Sequence, residues 1–243
     1  MKLFTYWSGK KHDYIKLCEK SMQINCTKLE IVNLDDNNIK EWIPDLRKEV
    51  IGKEGTFSNT AYIADYIRWK VLYLHGGIWL DKDFIILDSR FQDKIIKTME
   101  YNDYIGCGAI PEVNYHKCPQ NGFISMSKGY IIGKLQIEGM DNLIDSGKKI
   151  DWCNLGVDIQ KNFMCNYDYA IFPDTYLFPI YWRDWQIFME MGPDFKAIKP
   201  NTIGVALYNS AFPDWFKDMP ENDLMGSDRV IANIFKTAYR GGK

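Results

Sequence analysis

The segment that decides the fold of this 243-residue chain is Ala61–Asp83, AYIADYIRWKVLYLHGGIWLDKD. Its first part carries apolar residues at helical spacing up to His75, and Gly76-Gly77 supplies a stop for that helix. Ile78–Leu80 then has the character of a short buried strand, which leads directly into Asp81-Lys82-Asp83. The segment therefore predicts a long helix, a tight turn and a buried strand that ends at two carboxylates.

The carboxylates of Asp81 and Asp83 have the spacing of a shared cation site. Residues two apart in an extended chain point to the same side, roughly 6.5–7 Å apart. Mg²⁺ and Mn²⁺ prefer such oxygen ligands and complete their coordination with water and substrate phosphates. We therefore predict that Asp81 and Asp83 hold Mn²⁺ or Mg²⁺ at a diphosphate. Seen alone, an Asp-x-Asp sequence is more often a solvated turn, and that alternative stays open.

Two further charged residues, Asp65 and Arg68, interrupt the apolar helix before the strand. They lie three residues apart and therefore on one helical face. Charged side chains in so apolar a stretch are costly to bury unless they are paired or contact a polar ligand. One interpretation is an ion pair within the helix on a wet face. The other is that both side chains contact the hydroxyl groups of a ligand above the cation, since together they offer acceptors and donors.

The sequence on either side of this segment predicts a single mixed α/β domain over residues 1–243. A strand at Lys2–Trp7, a helix at His12–Cys26 and a strand at Leu29–Leu34 form a βαβ opening, which is typical of a parallel sheet. The long helix is predicted over Asn59–His75, after a loop at Lys53–Phe57 and an N-cap at Ser58. Further strands are predicted at Phe84–Leu87, Tyr104–Ala109, Gly122–Ser127, Tyr169–Phe172 and Ile203–Tyr208, and further helices at Asn38–Trp42, Gly129–Asp145, Asn154–Asn166 and Ser227–Tyr239.

The composition excludes several classes of protein. Hydrophobic residues make up 46% and charged residues 26%, which indicates a globular core rather than disorder. A net charge of −2 gives no basic surface for nucleic acid. No apolar run approaches the ~20 residues of a membrane span, and the N-terminus lacks the apolar region of a signal peptide.

The cellular setting is also an expectation from composition. Six cysteines without CxxC spacing indicate free thiols in a reducing compartment. We therefore expect a soluble cytoplasmic protein. The excess of Lys over Arg and the many Ile and Asn residues point to an AT-rich genome, and hence to a bacterial or virus-infected cell.

The decisive segment resembles a known enzyme signature. It matches the DXD pattern of the glycosyltransferase family that includes Och1-type mannosyltransferases, α-1,4-galactosyltransferase-like enzymes and capsular polysaccharide synthesis proteins (glycosyltransferase family 32-like). The matching positions are Ala64-Asp65, Arg68, Leu72-Tyr73, Gly76-Gly77, Ile78-Trp79, Asp81 and Asp83. Weaker resemblances occur at Phe4–Trp7, Asn121–Phe123, Tyr176–Trp182 and Val205–Asn209.

This resemblance implies a metal-dependent glycosyltransferase. The implied fold is GT-A-like, an α/β sandwich whose mostly parallel mixed central sheet is flanked by helices. The implied reaction moves a sugar from a nucleotide-sugar donor to a hydroxyl of a glycan or other acceptor, with retention of configuration. The resemblance implies that Asp83 ligates the metal, Asp81 contacts the ribose and the metal shell, Asp65 and Arg68 hold the donor sugar, Trp79 lines the donor pocket, Trp7 stacks on the base, and Asn121 lies near the donor sugar.

One position departs from the family pattern. The family often has His where this chain has Ala206, and this leaves the third ligand of the metal open between water, Asn209 and an unidentified residue. The departure keeps open a non-catalytic carbohydrate-binding relative on the same fold. A Mg²⁺-dependent phosphodiesterase is a weaker alternative, because none of the three His residues forms a recognisable motif with Asp81 and Asp83.

Overall fold

The computed structural model describes residues 1–50, 60–108, 118–151, 153–192 and 197–241. The predicted loop Lys53–Phe57 and the predicted N-cap Ser58 lie outside these residues. The chain divides into two compact units. The first comprises Met1–Ser8, Val32–Leu80 and Thr98–Phe172, and the second comprises Gly9–Ile31, Asp81–Lys97 and Pro173–Lys243. A single functional domain over 1–243 stays a prediction.

The regular elements follow the predicted order with few exceptions. The strands are β1 (Lys2–Tyr6), β2 (Glu30–Leu34), β3 (Gly77–Leu80), β4 (Phe84–Ile86), β5 (Tyr104–Cys107), β6 (Phe123–Met126), β7 (Ala170–Phe172) and β8 (Gly204–Ala206). The helices are α1 (Asp13–Asn25), α2 (Ile39–Trp42), α3 (Thr60–His75), α4 (Arg90–Met99), α5 (Ile131–Asp145), α6 (Val157–Gln160), α7 (Asp214–Lys217), α8 (Glu221–Gly226) and α9 (Val230–Tyr239).

A mixed sheet forms the centre of the first unit. Within the described residues it has six strands in the order β2-β1-β3-β6-β5-β7. Strand β3 lies parallel to β1, and β5 lies parallel to β7, whereas β6 runs antiparallel to both β3 and β5. The predicted mixed α/β architecture is confirmed. Because β6 is reversed, its first residue lies at the same edge of the sheet as the last residues of β1 and β3.

Helix α3 covers β1, β3 and β6, and α5 packs on α3. The α3 residues Tyr66, Ile67, Trp69, Val71 and Leu72 are all fully buried, so this helix is apolar over most of its circumference. A helix of that kind needs neighbours on several sides, which the sheet and α5 supply. The predicted helix–turn–strand segment is therefore the main packing element of this unit.

The second unit is organised around α1. This helix packs against β4 and α9, and β4 pairs antiparallel with β8. The buried side-chain amide of Asn25 donates to the carbonyl oxygens of Ile86 at 2.8 Å and of Ala238 at 3.0 Å. These bonds satisfy strand and helix carbonyls and fix α1 against both partners.

Several described elements differ from the sequence-based expectation, and among them α7, α8 and the 3-10 turns at Asp174–Tyr176 and Asn209–Ala211 lie where none was predicted. Helix α4 was not predicted, although it buries Phe91, Gln92 and Ile95 on one face. The predicted helix Asn154–Asn166 is only the short α6 followed by a 3-10 turn at Met164–Asn166, because the backbone of Phe163 leaves the helical region. A further 3-10 segment, Trp182–Met189, lies where no element was predicted.

Where the structure describes the chain, no helix is both long enough and apolar enough to cross a bilayer.

Candidate active site

The turn between α3 and β3 fixes the two halves of the decisive segment. Gly76 has φ +67° and Gly77 has φ +110°, conformations that residues with a Cβ rarely adopt. A Cβ on Gly76 would lie 2.7 Å from the backbone nitrogen of Lys128, and one on Gly77 would lie 2.6 Å from the carbonyl oxygen of Lys2. Both glycines are therefore required by backbone conformation and by close packing, which explains this part of the motif.

Arg68 lies on α3 against the side chain of Trp79 in β3. Its guanidinium carbon is 5.4 Å from the centre of the indole ring, and its Nη1 is 3.1 Å from the carboxylate of Asp65. Arg68 is 5% exposed, so the ion pair considered from the sequence is present but its cation does not lie on a wet face. The half-buried Asp65 is the more accessible partner. Asp65, Arg68 and Trp79 thus form one cluster.

The position of Trp79 follows from the sheet. Trp79 pairs with Phe4 of β1 on one side and with Ile124 of β6 on the other. It is therefore a central-strand residue, and its ring is almost completely buried. The buried ring of Trp79 therefore packs against the guanidinium group of Arg68. The expected contact of Trp79 with a donor stays a prediction.

Trp7 directly follows β1 at the edge where β3 also ends. Its backbone nitrogen donates to the carbonyl oxygen of Leu34 at 3.1 Å, and the residue is half-buried. The hydroxyls of its neighbours Tyr6 and Ser8 both donate to the carboxylate of Asp36. Burial and the bond to Asp36 raise the pKa of Tyr6 well above its ordinary value. No sequence pattern predicts this hydroxyl–carboxylate cluster.

Asn121 precedes β6 and therefore lies at this same edge. Its Oδ1 accepts a hydrogen bond of 2.5 Å from Nε2 of Gln160, the last residue of α6. Its Nδ2 packs against Gly156, where an added Cβ would come within 2.0 Å of that nitrogen. Asn121 was a candidate site residue from the sequence, but Gln160 and Gly156 were not, because nothing local links them to it.

The carboxylate pair has a buried lysine between its members. Asp81 and Asp83 are half-buried, whereas Lys82 is only 3% exposed. The Nζ of Lys82 lies 2.6 Å from the carboxylate of Glu19 on α1, and Lys11 contacts the same carboxylate oxygen at 2.7 Å. Lys82 and Asp83 lie in a turn between β3 and β4, so the prediction of an extended Asp-Lys-Asp segment is wrong, although the turn buries its lysine.

Asp83 is anchored by the segment that follows β8. Its carbonyl oxygen accepts from the backbone nitrogen of Leu207 at 2.9 Å, and its Oδ2 accepts from that of Asn209 at 2.7 Å. Ala206 is buried in β8, where it pairs with Phe84. The position at which the family often has His is thus the end of a strand that lies beside Asp83.

Tyr208 and Tyr14 extend the network of contacts around Asp83 and Asn209. Tyr208 has φ +53°, a strained conformation for a residue other than glycine. This conformation precedes Asn209, whose Oδ1 accepts from the hydroxyl of Tyr14 on α1. Burial, with a contribution from Asp83, raises the pKa of Tyr14 well above its ordinary value, so Tyr14 is a stable neutral donor.

The ligand set suits a cation that a substrate helps to hold. In the described parts of the chain, no group of three or more His, Cys, Asp or Glu side chains could enclose a metal ion. Asp81 and Asp83 offer two carboxylates from half-buried positions. Two hard oxygen ligands fit Mg²⁺ or Mn²⁺ when phosphate oxygens and water provide the rest of the shell.

The N-terminal part of the chain matches a protein family. Residues 3–117 match the family described as "Capsular polysaccharide synthesis protein". The match covers just under half of the 243 residues and includes the whole segment Ala61–Asp83. It confirms the family resemblance inferred from the DXD pattern. No curated protein sequence is significantly similar to the chain.

Solved structures identify the fold. The apo form of the glycosyltransferase GlyE from Streptococcus pneumoniae TIGR4 has a TM-score of 0.53 and 12% identity, over 99% of this chain and 59% of GlyE. The galactosyltransferase LgtC, solved in complex with donor and acceptor sugar analogues, has a TM-score of 0.50 and 11% identity, over 100% of this chain and 95% of LgtC. The fold is that of the GT-A glycosyltransferases. The chain spans less than two thirds of the length of GlyE.

Proposed function

We propose that this protein is a metal-dependent glycosyltransferase that moves a sugar from a nucleotide-sugar donor to a hydroxyl of a glycan or other acceptor. The observation that carries the proposal is the Asp81-Lys82-Asp83 segment. It directly follows the central strand β3, both of its aspartates are half-buried, and its lysine is buried against Glu19. The GT-A fold and the family match over residues 3–117 support it.

In this proposal the donor diphosphate lies at Asp81 and Asp83. Asp65 and Arg68 bind hydroxyls of the donor sugar, since a carboxylate and a guanidinium together accept and donate hydrogen bonds. Trp7 stacks on the base, Trp79 lines the donor pocket, and Asn121 contacts the sugar. Within the first unit, Trp7 follows β1, Asn121 precedes β6, and Asp65, Arg68 and Trp79 form one cluster.

The chemistry assigned to these residues is mainly binding and electrostatic. The bond from the anomeric carbon to the diphosphate oxygen breaks, and its electron pair leaves with the nucleoside diphosphate. The acceptor oxygen bonds to the same carbon and gives its proton to the leaving phosphate, with retention of configuration. When bound, Mn²⁺ or Mg²⁺ neutralises charge on that phosphate. Asp81 and Asp83 hold the cation, and Arg68 orients the sugar.

The test measures nucleoside diphosphate release from a panel of nucleotide-sugars with Mn²⁺ or Mg²⁺ and an acceptor glycan. The informative variant is Asp83→Asn, because its side-chain oxygen can still accept the backbone hydrogen bond from Asn209. The matched control is Asp93→Asn, which changes an exposed carboxylate paired with Lys28. We expect release from one donor, abolished by EDTA, lowered roughly 10²–10³-fold by Asp83→Asn and unchanged in the control.

Two other outcomes would reject the proposal. Absence of release from every donor, together with absence of metal-dependent donor binding in calorimetry, would reject glycosyl transfer. Glycan binding that persists without donor and is unaffected by Asp83→Asn would instead favour a non-catalytic carbohydrate-binding protein.

A further inference from the structure

A buried glutamine sets the orientation of Asn121. Gln160 is fully buried at the end of α6, and its Nε2 donates to Oδ1 of Asn121. The amide oxygen of Asn121 is therefore already engaged within the protein. Its Nδ2 has no hydrogen-bond partner among the described residues and belongs to a half-buried side chain at the edge of the sheet. Asn121 thus offers N–H groups rather than a carbonyl to a ligand.

The absence of a side chain at Gly156, as well as the hydrogen bond from Gln160, favours this orientation of the Asn121 amide. Nδ2 of Asn121 lies where a Cβ on Gly156 would come within 2.0 Å of it, so any larger residue at 156 would displace the amide. The carbonyl oxygens of Leu155 and Gly156 accept from Nε2 of the buried Gln136, at 2.8 Å and 3.2 Å. The segment before α6 is therefore held in place, and with it the surface on which the amide rests.

Among the residues that the structure describes, the position of Gln160 leaves one of its buried polar atoms without a hydrogen bond, which destabilises the folded protein. The Oε1 of Gln160 is buried and has no hydrogen-bond partner in the described part of the chain. A buried polar atom without a partner is destabilising by about 1–3 kcal/mol, and an apolar residue of similar size would avoid this. A glutamine at position 160 is therefore unfavourable for packing alone, but its Nε2 donates the hydrogen bond that Oδ1 of Asn121 accepts.

We propose that Gln160 is a positioning residue for donor binding, which turns the N–H₂ group of Asn121 towards an oxygen of the donor sugar. Gly156 leaves the room in which that amide lies. This inference rests on the proposed glycosyltransferase function and adds to it residues outside the DXD segment. It assigns Asn121 as a hydrogen-bond donor to the sugar and not to the nucleoside diphosphate.

The proposal predicts that loss of the Gln160 hydrogen bond changes the affinity for a nucleotide-sugar but not the affinity for the free nucleoside diphosphate. A nucleotide-sugar carries the oxygen that Asn121 contacts, whereas the corresponding free nucleoside diphosphate does not. Loss of the orienting bond should therefore weaken binding of the nucleotide-sugar and leave the diphosphate unaffected. A purely structural role for Gln160 would instead change both affinities or neither.

The experiment compares calorimetric dissociation constants for both ligands, in the presence of Mn²⁺, in wild type, Gln160→Met, Asn121→Ala and the double variant. Methionine keeps the length of the side chain and removes its N–H groups. Gln160→Leu is the second variant should Gln160→Met fail to fold. The matched control is Gln92→Met, another buried glutamine, which accepts a hydrogen bond from the backbone of Lys28.

We expect Gln160→Met to raise the nucleotide-sugar dissociation constant about fivefold to tenfold, the scale of one hydrogen bond. The dissociation constant for the nucleoside diphosphate should change by no more than about twofold. The ratio of the nucleotide-sugar dissociation constant to the diphosphate dissociation constant should be unchanged in the control. Because Gln160 acts through Asn121, its substitution should add no further loss in the Asn121→Ala background.

Three results would overturn the inference while leaving the proposed function intact. These are an unchanged ratio in Gln160→Met, an unchanged ratio in Asn121→Ala, or an equal loss from Gln160→Met in both backgrounds. Failure of the wild type to bind any nucleotide-sugar would instead overturn the proposed function, and the inference with it.

Discussion

The ammonium group of Lys82 lies 2.6 Å from the carboxylate of Glu19, although Lys82 belongs to the loop after β3 and Glu19 to α1. The lysine side chain is 2% exposed and the glutamate side chain 20% exposed. This pair holds Lys82, the central residue of the Asp-Lys-Asp segment, against α1. The backbone on which Asp81 and Asp83 stand is therefore fixed by a residue that has no part in the signature.

Removing the two partners of this pair should have unequal effects. Glu19→Ala leaves a buried ammonium without this carboxylate and should lower the free energy of unfolding by about 3 kcal/mol. Lys82→Met removes the buried charge while Glu19 keeps Lys11, so its cost should be about 1 kcal/mol or less. Urea unfolding of both variants measures the difference. A larger loss for Lys82→Met than for Glu19→Ala would contradict this assignment.

The same pair predicts a pH dependence of stability. Burial alone would raise the pKa of Glu19, but hydrogen bonds from Lys11 and Lys82 outweigh it and lower this pKa below its ordinary value. The group is therefore more acidic in the folded state than in the unfolded chain. Its stabilising contribution is fully present above the unfolded pKa and is lost as the pH falls through the folded one.

Urea midpoints from pH 7 downwards should show this loss. The difference between wild type and Glu19→Gln should be constant near neutrality and shrink below about pH 4. The control is Glu138→Gln, which changes an exposed carboxylate beside Lys134. A Glu19→Gln difference that grows towards acid pH would contradict the sign of the shift.

The glycines of the α3–β3 turn should tolerate alanine poorly. Gly76→Ala and Gly77→Ala each combine a positive φ with a Cβ placed within 3 Å of backbone atoms. Gly129→Ala is the matched control, because Gly129 has φ +72° with nothing within 4 Å of the added Cβ. We expect about 1–2 kcal/mol of destabilisation in the control and at least about 2 kcal/mol more at position 76 or 77. Equal losses at all three positions would show that packing contributes nothing.

A substitution in the Asp65–Arg68 cluster should weaken donor binding more than it lowers the stability of the protein. Arg68→Lys keeps the charge but loses the planar fork that both the carboxylate and a sugar can use. We expect about a tenfold weaker nucleotide-sugar affinity, measured by calorimetry, with a thermal midpoint that changes by only a few degrees. Lys134→Arg, at an exposed ion pair on α5, is the control. Loss of stability with unchanged donor affinity would make the pair purely structural.

The local part of this architecture could be predicted from the sequence. The helix, the glycine turn, the buried strand and the two carboxylates occupy one continuous segment, where spacing and apolar pattern carry the information. Asp65 and Arg68 were predicted to interact with each other or with a ligand for the same reason. The pair is present, but burial of Arg68 against Trp79 depends on how α3 packs on the sheet, which periodicity does not specify.

The long-range contacts that support the candidate site could not be predicted in this way. Asn209 contacts Asp83 across 126 positions of sequence, and Gln160 contacts Asn121 across 39. Asn209 ends the segment Val205–Asn209 that weakly resembles the family, whereas nothing in the local sequence marks Gln160, and both contacts form only when tertiary structure brings distant segments together. Helix α4, which buries Phe91, Gln92 and Ile95, was also not predicted.

The tight α3–β3 turn also limits how this part of the chain can vary. The side chain of Arg68 faces that of Trp79 because α3 is joined directly to β3 by the short turn. Side-chain direction repeats every 3.6 residues in the helix and every two residues in the strand. One inserted residue in the turn would rotate the helix contacts by about 100° or move Trp79 to the opposite face of the sheet. The length of this segment is therefore as restricted as its two glycines, so any insertions tolerated by the protein must lie elsewhere.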